Sequence, residues 1–185
     1  LVLFYKKEQE ALFEKSAQKL SSMTVLYIDG DACPVREEVY RVADRLGLKV
    51  FVVANGSRPI RPTGRPNVEM ITVEAGADAA DDWIADRIAA GDVCITSDIP
   101  LASRCLARDA RALSPKGHHW TADNIGSALA GRAVAEHLRA TGINTGGPAS
   151  LTREDRSRFL AALDAAIQAG RRAPRPKLIV PPGGF

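Results

Sequence analysis

No apolar run among the 185 residues approaches the ~20 residues that a membrane-spanning helix needs. The apolar patch Leu1–Tyr5 is followed by lysines, the reverse of the order in a secretory signal. Cysteine is scarce. Cys33, Cys94 and Cys105 are odd in number and lack metal-type pairing, which excludes a disulfide framework and fits a reducing cytoplasm. No internal repeat is present. What is there is ordinary for a globular protein: 45% hydrophobic and 25% charged residues, on a chain long enough for one domain with a real core.

The net charge of +3 hides an asymmetry. Residues 1–100 carry 12 Lys+Arg against 16 Asp+Glu, and residues 101–185 carry 13 against 6. An acidic half suits a metal, and a basic half suits a polyanion such as nucleic acid, although taken by itself the basic half is better explained as an arginine-rich solvated surface.

Residues 1–22 read as an N-terminal extension containing a short amphipathic helix over Gln9–Leu20, and Met23 stands directly before the first strand. From Thr24 the hydrophobic period alternates between strand and helix. Strands are predicted at Thr24–Asp29, Lys49–Ala54, Val68–Val73, Val93–Thr96 and Arg111–Leu113. Helices are predicted at Val35–Leu46, closed by Gly47, and at Ala77–Ala90 and Leu101–Arg108. The segment Ser114–Trp120 reads as a loop. Helices then follow at Asp123–Thr141 and, from a capping-box-like Thr152-x-x-Asp155, to Gly170, with Asn144–Pro148 as a loop between them. The tail 171–185 is rich in Pro, Gly and basic residues and is expected to lack fixed structure. The βα alternation predicts an α/β fold, a mainly parallel sheet covered by helices on both faces.

The stretch Val25-Leu26-Tyr27-Ile28-Asp29-Gly30-Asp31-Ala32-Cys33-Pro34 organises the rest. An apolar strand ends in two carboxylates, and in an open parallel sheet ligands bind beyond the strands' carboxyl ends. Two further acidic groups belong to the same rim: Asp78, Asp81 and Asp82 at a helix start, and Asp98 just past the fourth strand. Each has a structural alternative. Asp31, Asp78 and Asp98 can cap helices, and Asp81 and Asp82 suit a helix N-terminal dipole. Taken together, uncompensated carboxylates would repel, whereas Mg²⁺ or Mn²⁺ would turn them into an oxygen-ligand site for phosphoryl-transfer chemistry.

Asn55, Thr96 and Ser97 stand at the same rim as candidate phosphate contacts, with turn and capping roles as the duller alternatives. Arg132, Arg139, Arg153 and Arg156 are candidates for a phosphate-contacting face. His118 and His119 are adjacent, so their side chains diverge, and Cys33 suits packing. Cys105 and Arg111 have the spacing of a phosphatase loop but lack its glycines.

The runs Ile28–Pro34, Val53-Ala54-Asn55, Gly76–Ile84, Thr96–Ala102 and Thr145–Pro148 resemble those of the bacterial YaiI/YqxD family (UPF0178, or DUF188) over nearly all the chain outside its two ends. At fold level that family is similar to PIN-like domains, many of which are metal-dependent ribonucleases. The resemblance implies a three-layer α/β/α PIN-like domain over 23–170. It also implies acids at the first strand end, a middle helix and the fourth strand end, places that Asp29, Asp78 or Asp82, and Asp98 occupy.

The expected function is thus a metal-dependent nuclease of the cytoplasm acting on RNA, with no membrane partner. Asp29, Asp78, Asp82 and Asp98 are its catalytic carboxylates, and Asp31 is a further metal ligand. Two alternatives stand beside it. One is a non-catalytic nucleic-acid-binding module. The other is a haloacid-dehalogenase-type phosphatase with Asp29 as nucleophile; against it, Cys33 stands where that signature wants Thr or Val, and its later lysine and second acidic pair are missing.

Overall fold

The computed structural model describes residues 23–31, 33–56, 60–73, 76, 78–141 and 150–173. The expected extension 1–22, the loop 144–148 and the tail from 174 lie outside them.

The described strands are β1 (Leu26–Asp29), β2 (Val50–Asn55), β3 (Val68–Val73), β4 (Val93–Ile95), β5 (Arg111–Leu113) and β6 (His119–Trp120). The described helices are α1 (Arg36–Leu46), α2 (Ala79–Arg87), α3 (Ile99–Leu106), α4 (Ala122–Ala140) and α5 (Arg153–Arg172). The sheet runs β3-β2-β1-β4-β5-β6. Its first five strands are parallel, and β6 pairs antiparallel with β5, Leu113 opposite His119.

Strand alternation sorts the core into two layers. Leu26, Ile28, Val50, Val52, Val93 and Ile95 face α1 and α5, meeting Val39, Val42, Phe159, Leu163 and Ile167. Tyr27, Val53, Cys94 and Ala112 face α2 and α3, meeting Ala80, Ile84, Leu101 and Cys105. On this second face Trp83 of α2 lies over Phe51, ring centroids 5.6 Å apart, and Phe51 stacks on Tyr27 at the same spacing. The architecture is the expected three-layer α/β/α sandwich with a mainly parallel sheet.

Local chemistry sets the element ends. Gly47 closes α1 at φ 64°, a left-handed turn that glycine enters without steric cost. Thr152 and Asp155 form a reciprocal capping box at the start of α5. Two expectations need correction. Ser114–Trp120 is not all loop: a turn at Gly117 (φ 79°) reverses the chain into β6. A two-residue strand carries too short a pattern to read from periodicity. The helix expected to end at Gly170 runs on to Arg172, so the first residues of the supposed tail are folded.

The order 3-2-1-4 reverses at β1. The chain leaves β1 for β2 on one side and later returns as β4 on the other. In open α/β sheets the crevice at such a switch point is where ligands sit. The β2–β3 crossover spans residues 56–67, and its described part contains no helix. Arg65 straps it to α1 through Asp44 and Glu37, with its guanidinium over the Tyr40 ring.

Candidate active site

Side chains alternate along β1, so Asp29 follows Tyr27 onto the α2/α3 face, at the switch point. Its Oδ2 accepts a 2.9 Å bond from the Thr96 hydroxyl, and the same hydroxyl oxygen accepts the Asp98 N–H at 2.9 Å. Thr96, fully buried at the end of β4, therefore joins the carboxyl ends of β1 and β4. Its observed role is this link, set between the two acids.

Asp98 caps α3. Its Oδ1 accepts the Leu101 N–H at 2.9 Å, and its Oδ2 takes a 2.7 Å ion pair from Arg132 of α4. The capping alternative is thus correct for Asp98. It does not hold for Asp31, whose Oδ2 accepts the Asn55 N–H at 3.0 Å and so ties the ends of β1 and β2. Asp78 occupies the N-cap position of α2 without a side-chain capping bond. Ser97 is exposed beside Asp98.

Between these acids stands Asp81, from the first turn of α2. It is half-buried, and its carboxyl is pushed up from the ordinary 3.8 to about 6. Burial is the main cause, followed by repulsion from Asp98, Asp29 and Asp78; Arg104 opposes them. Asp29 is raised in the same direction, mainly by burial, with the charges of Asp31 and Asp98 adding to it. The Thr96 hydroxyl and the Asp31 N–H pull it back down. The charges of Asp98, Asp29 and Asp78 thus act on Asp81, and those of Asp31 and Asp98 act on Asp29.

Asp82, chosen from the sequence as a ligand, turns its carboxylate to Arg104 of α3 at 2.8 Å. Asp81 is the member of the α2 trio whose charge meets Asp29 and Asp98. Helical spacing put all three within an arc of about 100° and could not say which one the neighbouring strands would bury.

The arginines expected to share a phosphate-contacting face do not share one. Arg132 sits at the acidic site, whereas Arg156 of α5, on the opposite side of the sheet, pairs with the buried Glu38 of α1. Arg153 is exposed at the start of α5, and the Arg139 side chain lies outside what the structure describes. His118 packs edge-on against Trp120, centroids 4.6 Å apart, and His119 belongs to β6, with its pKa lowered mainly by burial. Cys33 is buried in the core with its thiol pushed up to about 12 by that burial, which suits packing rather than nucleophilic attack.

Among the described residues no three His, Cys, Asp or Glu side chains stand close enough to hold one ion as they are arranged. The donor chemistry nonetheless fits a hard divalent cation. Mg²⁺ is usually held by one or two carboxylates, with water and substrate phosphate completing its shell. Asp29 and Asp81, two carboxyls whose proton affinity is raised mainly by burial, are oxygen donors of that kind. No described helix is long and apolar enough to cross a membrane.

A family model described as "Uncharacterized BCR, YaiI/YqxD family" matches residues 27–169. A UPF0178 protein of Caulobacter sp. (strain K31) is 56% identical over 153 residues, covering 83% of this chain and 100% of the relative. Those of Caulobacter vibrioides (strain NA1000 / CB15N) and Parvibaculum lavamentivorans (strain DS-1) are 52% and 50% identical over 154 residues. Each of these covers 83% of this chain, and 99% and 100% of the relative. No solved structure matches.

Proposed function

This chain belongs to the YaiI/YqxD (UPF0178) family, and from that premise we propose that it hydrolyses phosphodiester bonds in RNA with the help of a divalent cation, Mg²⁺ or Mn²⁺, as PIN-like ribonucleases do. One observation carries the reading. The buried Thr96 hydroxyl donates to Asp29 and accepts the Asp98 N–H, which ties acids from the ends of β1 and β4 together at the switch point, and burial with the charges of Asp98, Asp29 and Asp78 raises the proton affinity of Asp81 beside them.

Asp29 and Asp81 would hold the cation, with water and substrate phosphate completing its shell and with Asp98, Asp31 and Asp78 beside them. When bound, it supplies Lewis acidity at the phosphate and lowers the pKa of water. The chain's own residues do the rest. Thr96 fixes the Asp29 carboxylate and, through the Asp98 N–H, the start of α3. Arg132 and Arg104 place guanidiniums against Asp98 and Asp82, where they can also meet phosphate oxygens.

The test is cleavage of RNA with and without Mn²⁺ by the wild type and by Asp29→Asn, Asp81→Asn and Asp98→Asn. The proposal expects chelator to stop cleavage and each variant to lose it. Equal cleavage by all four proteins removes its basis. Arg132 on Asp98 favours a second reading, a nucleic-acid-binding module in which a side chain already supplies the positive charge. Salt-sensitive RNA binding without turnover, untouched by chelator, would identify it.

A further inference from the structure

Beside the acidic site, on the α1 side of the sheet, lies a cleft of about 600 Å³. It is lined by Asp31 at the end of β1, by Arg36, Glu37 and Tyr40 of α1, and by Ile60 and Arg61 of the β2–β3 crossover. Asp31 belongs to both features: it walls the cleft, and its charge acts on Asp29. Two residues of backbone span at most about 7 Å, so the cleft adjoins the carboxylates rather than forming a remote site.

Two acids and two arginines line it, and the acids are bound to other groups. The Asp31 carboxylate is held by the Asn55 N–H, and Glu37 is engaged by Arg65. Among the described residues neither Arg36 nor Arg61 has a carboxylate partner. Arg36 reaches only the Gly30 carbonyl, at 3.4 Å, and Arg61 is exposed on the crossover. Two guanidiniums outside any ion pair among the described residues, one from α1 and one from the crossover, line the same cleft, and guanidiniums suit phosphate oxygens. The volume suits a small-molecule-sized unit such as a single nucleotide.

We infer that this cleft seats the neighbouring nucleotide of a single-stranded polynucleotide, with Arg36 and Arg61 clamping the phosphate next to the one presented to Asp29 and Asp81. The inference rests on the phosphodiester reading of the acidic site. It adds substrate class and direction: the strand runs from the switch point, past Asp31, between α1 and the β2–β3 crossover. Asp31 then serves as the partition between the two subsites.

The experiment is fluorescence anisotropy with a labelled single-stranded RNA hexanucleotide in chelator, across a range of salt. It uses the wild type, Arg36→Gln, Arg61→Gln and the control Arg108→Gln. Arg108 is exposed beyond the C-terminal end of α3, at the opposite edge of the sheet. Each cleft variant should bind about tenfold more weakly. Each should also make the plot of log affinity against log salt shallower by about 0.7, a change that a merely structural role would not produce. The control should match the wild type.

Unchanged affinity and slope in both cleft variants overturns the inference, as does duplex RNA that binds equally tightly with the same sensitivity. The two proposals fail separately, because binding is read without metal. Wild-type cleavage with binding unmoved by both substitutions keeps the hydrolase and overturns the cleft. Binding lost in both variants, with no Mn²⁺-dependent cleavage by the wild type, keeps the cleft and overturns the hydrolase.

Discussion

Replacing Asp81 by Asn should make the protein more stable at neutral pH, the reverse of what a polar substitution at a half-buried site usually does. In the unfolded chain the Asp81 carboxyl ionises near 3.8, and in the folded protein it does so at about 6. Between those values the folded state holds the extra proton. The stabilisation associated with this group is therefore full below pH 4 and is lost as pH rises through 6. Two pKa units correspond to at most about 3 kcal/mol. Asp81 is partly open to solvent, and screening brings the expectation to about 1–2 kcal/mol. For a chain of this size that is a rise in Tm of about 3–6 °C.

The assay is urea unfolding of wild type and Asp81→Asn, followed by circular dichroism from pH 4 to pH 8 in chelator. The difference between the two proteins isolates this group from every other titrating residue. It should be near zero at pH 4, open between pH 5 and 6.5, and level off in favour of the variant above pH 7. Mn²⁺ added at pH 7.5 should then stabilise the wild type and leave the variant unmoved. A difference that is constant across the range, or that favours the wild type above pH 7, would show that folding does not raise the Asp81 carboxyl through burial and the charges of Asp98 and Asp29, and the acidic site would lose its central member.

Three other outcomes follow from the same geometry. Thr96→Val removes the hydroxyl that joins Asp29 to the Asp98 N–H in a buried position, and should cost about 1–3 kcal/mol in urea melts and lower any RNA cleavage. Gly30→Ala would place a Cβ 2.5 Å from Ile60 Cδ1 and 2.9 Å from the Val53 carbonyl oxygen, so a loss of about 1–3 kcal/mol is expected; an unchanged melt would mean that the crossover gives way freely. Arg132→Gln frees the Asp98 oxygen that Arg132 occupies, and should tighten Mn²⁺ binding in calorimetric titration; weaker binding would show that Arg132 orients Asp98 for the ion rather than competing with it.

Much of this was legible along the chain. The alternation of period-2 and period-3.6 segments located β3 and β5 to the residue and the other long elements within a few positions. Gly47 and the Thr152–Asp155 box marked ends because their chemistry is local: a positive φ and two reciprocal hydrogen bonds act within four residues. The carboxylates at the ends of β1 and β4 could be read because a parallel sheet delivers its strand ends to one rim. By contrast, β6 escaped notice, since its two residues pair only because the Gly117 turn returns them to β5.

The distinction between Asp81 and Asp82 was also out of reach. Adjacent positions on one helix differ by about 100° in direction, and only the packing of α2 on β1 and β2 decides which of them meets the switch point and which meets Arg104. Arg132 is more than thirty residues from Asp98, and nothing local announces that a guanidinium would fill the space a cation was expected to take. The cleft between α1 and the β2–β3 crossover likewise exists only once Ile60 has crossed over Gly30.

The linear order of residues, by itself, determined which groups were acidic, which segments would pair or coil, and that acids would stand at the ends of the first and fourth strands. Which oxygen meets which partner was decided by the tertiary structure alone, because a carboxylate's neighbours come from strands and helices that converge only after the sheet has formed.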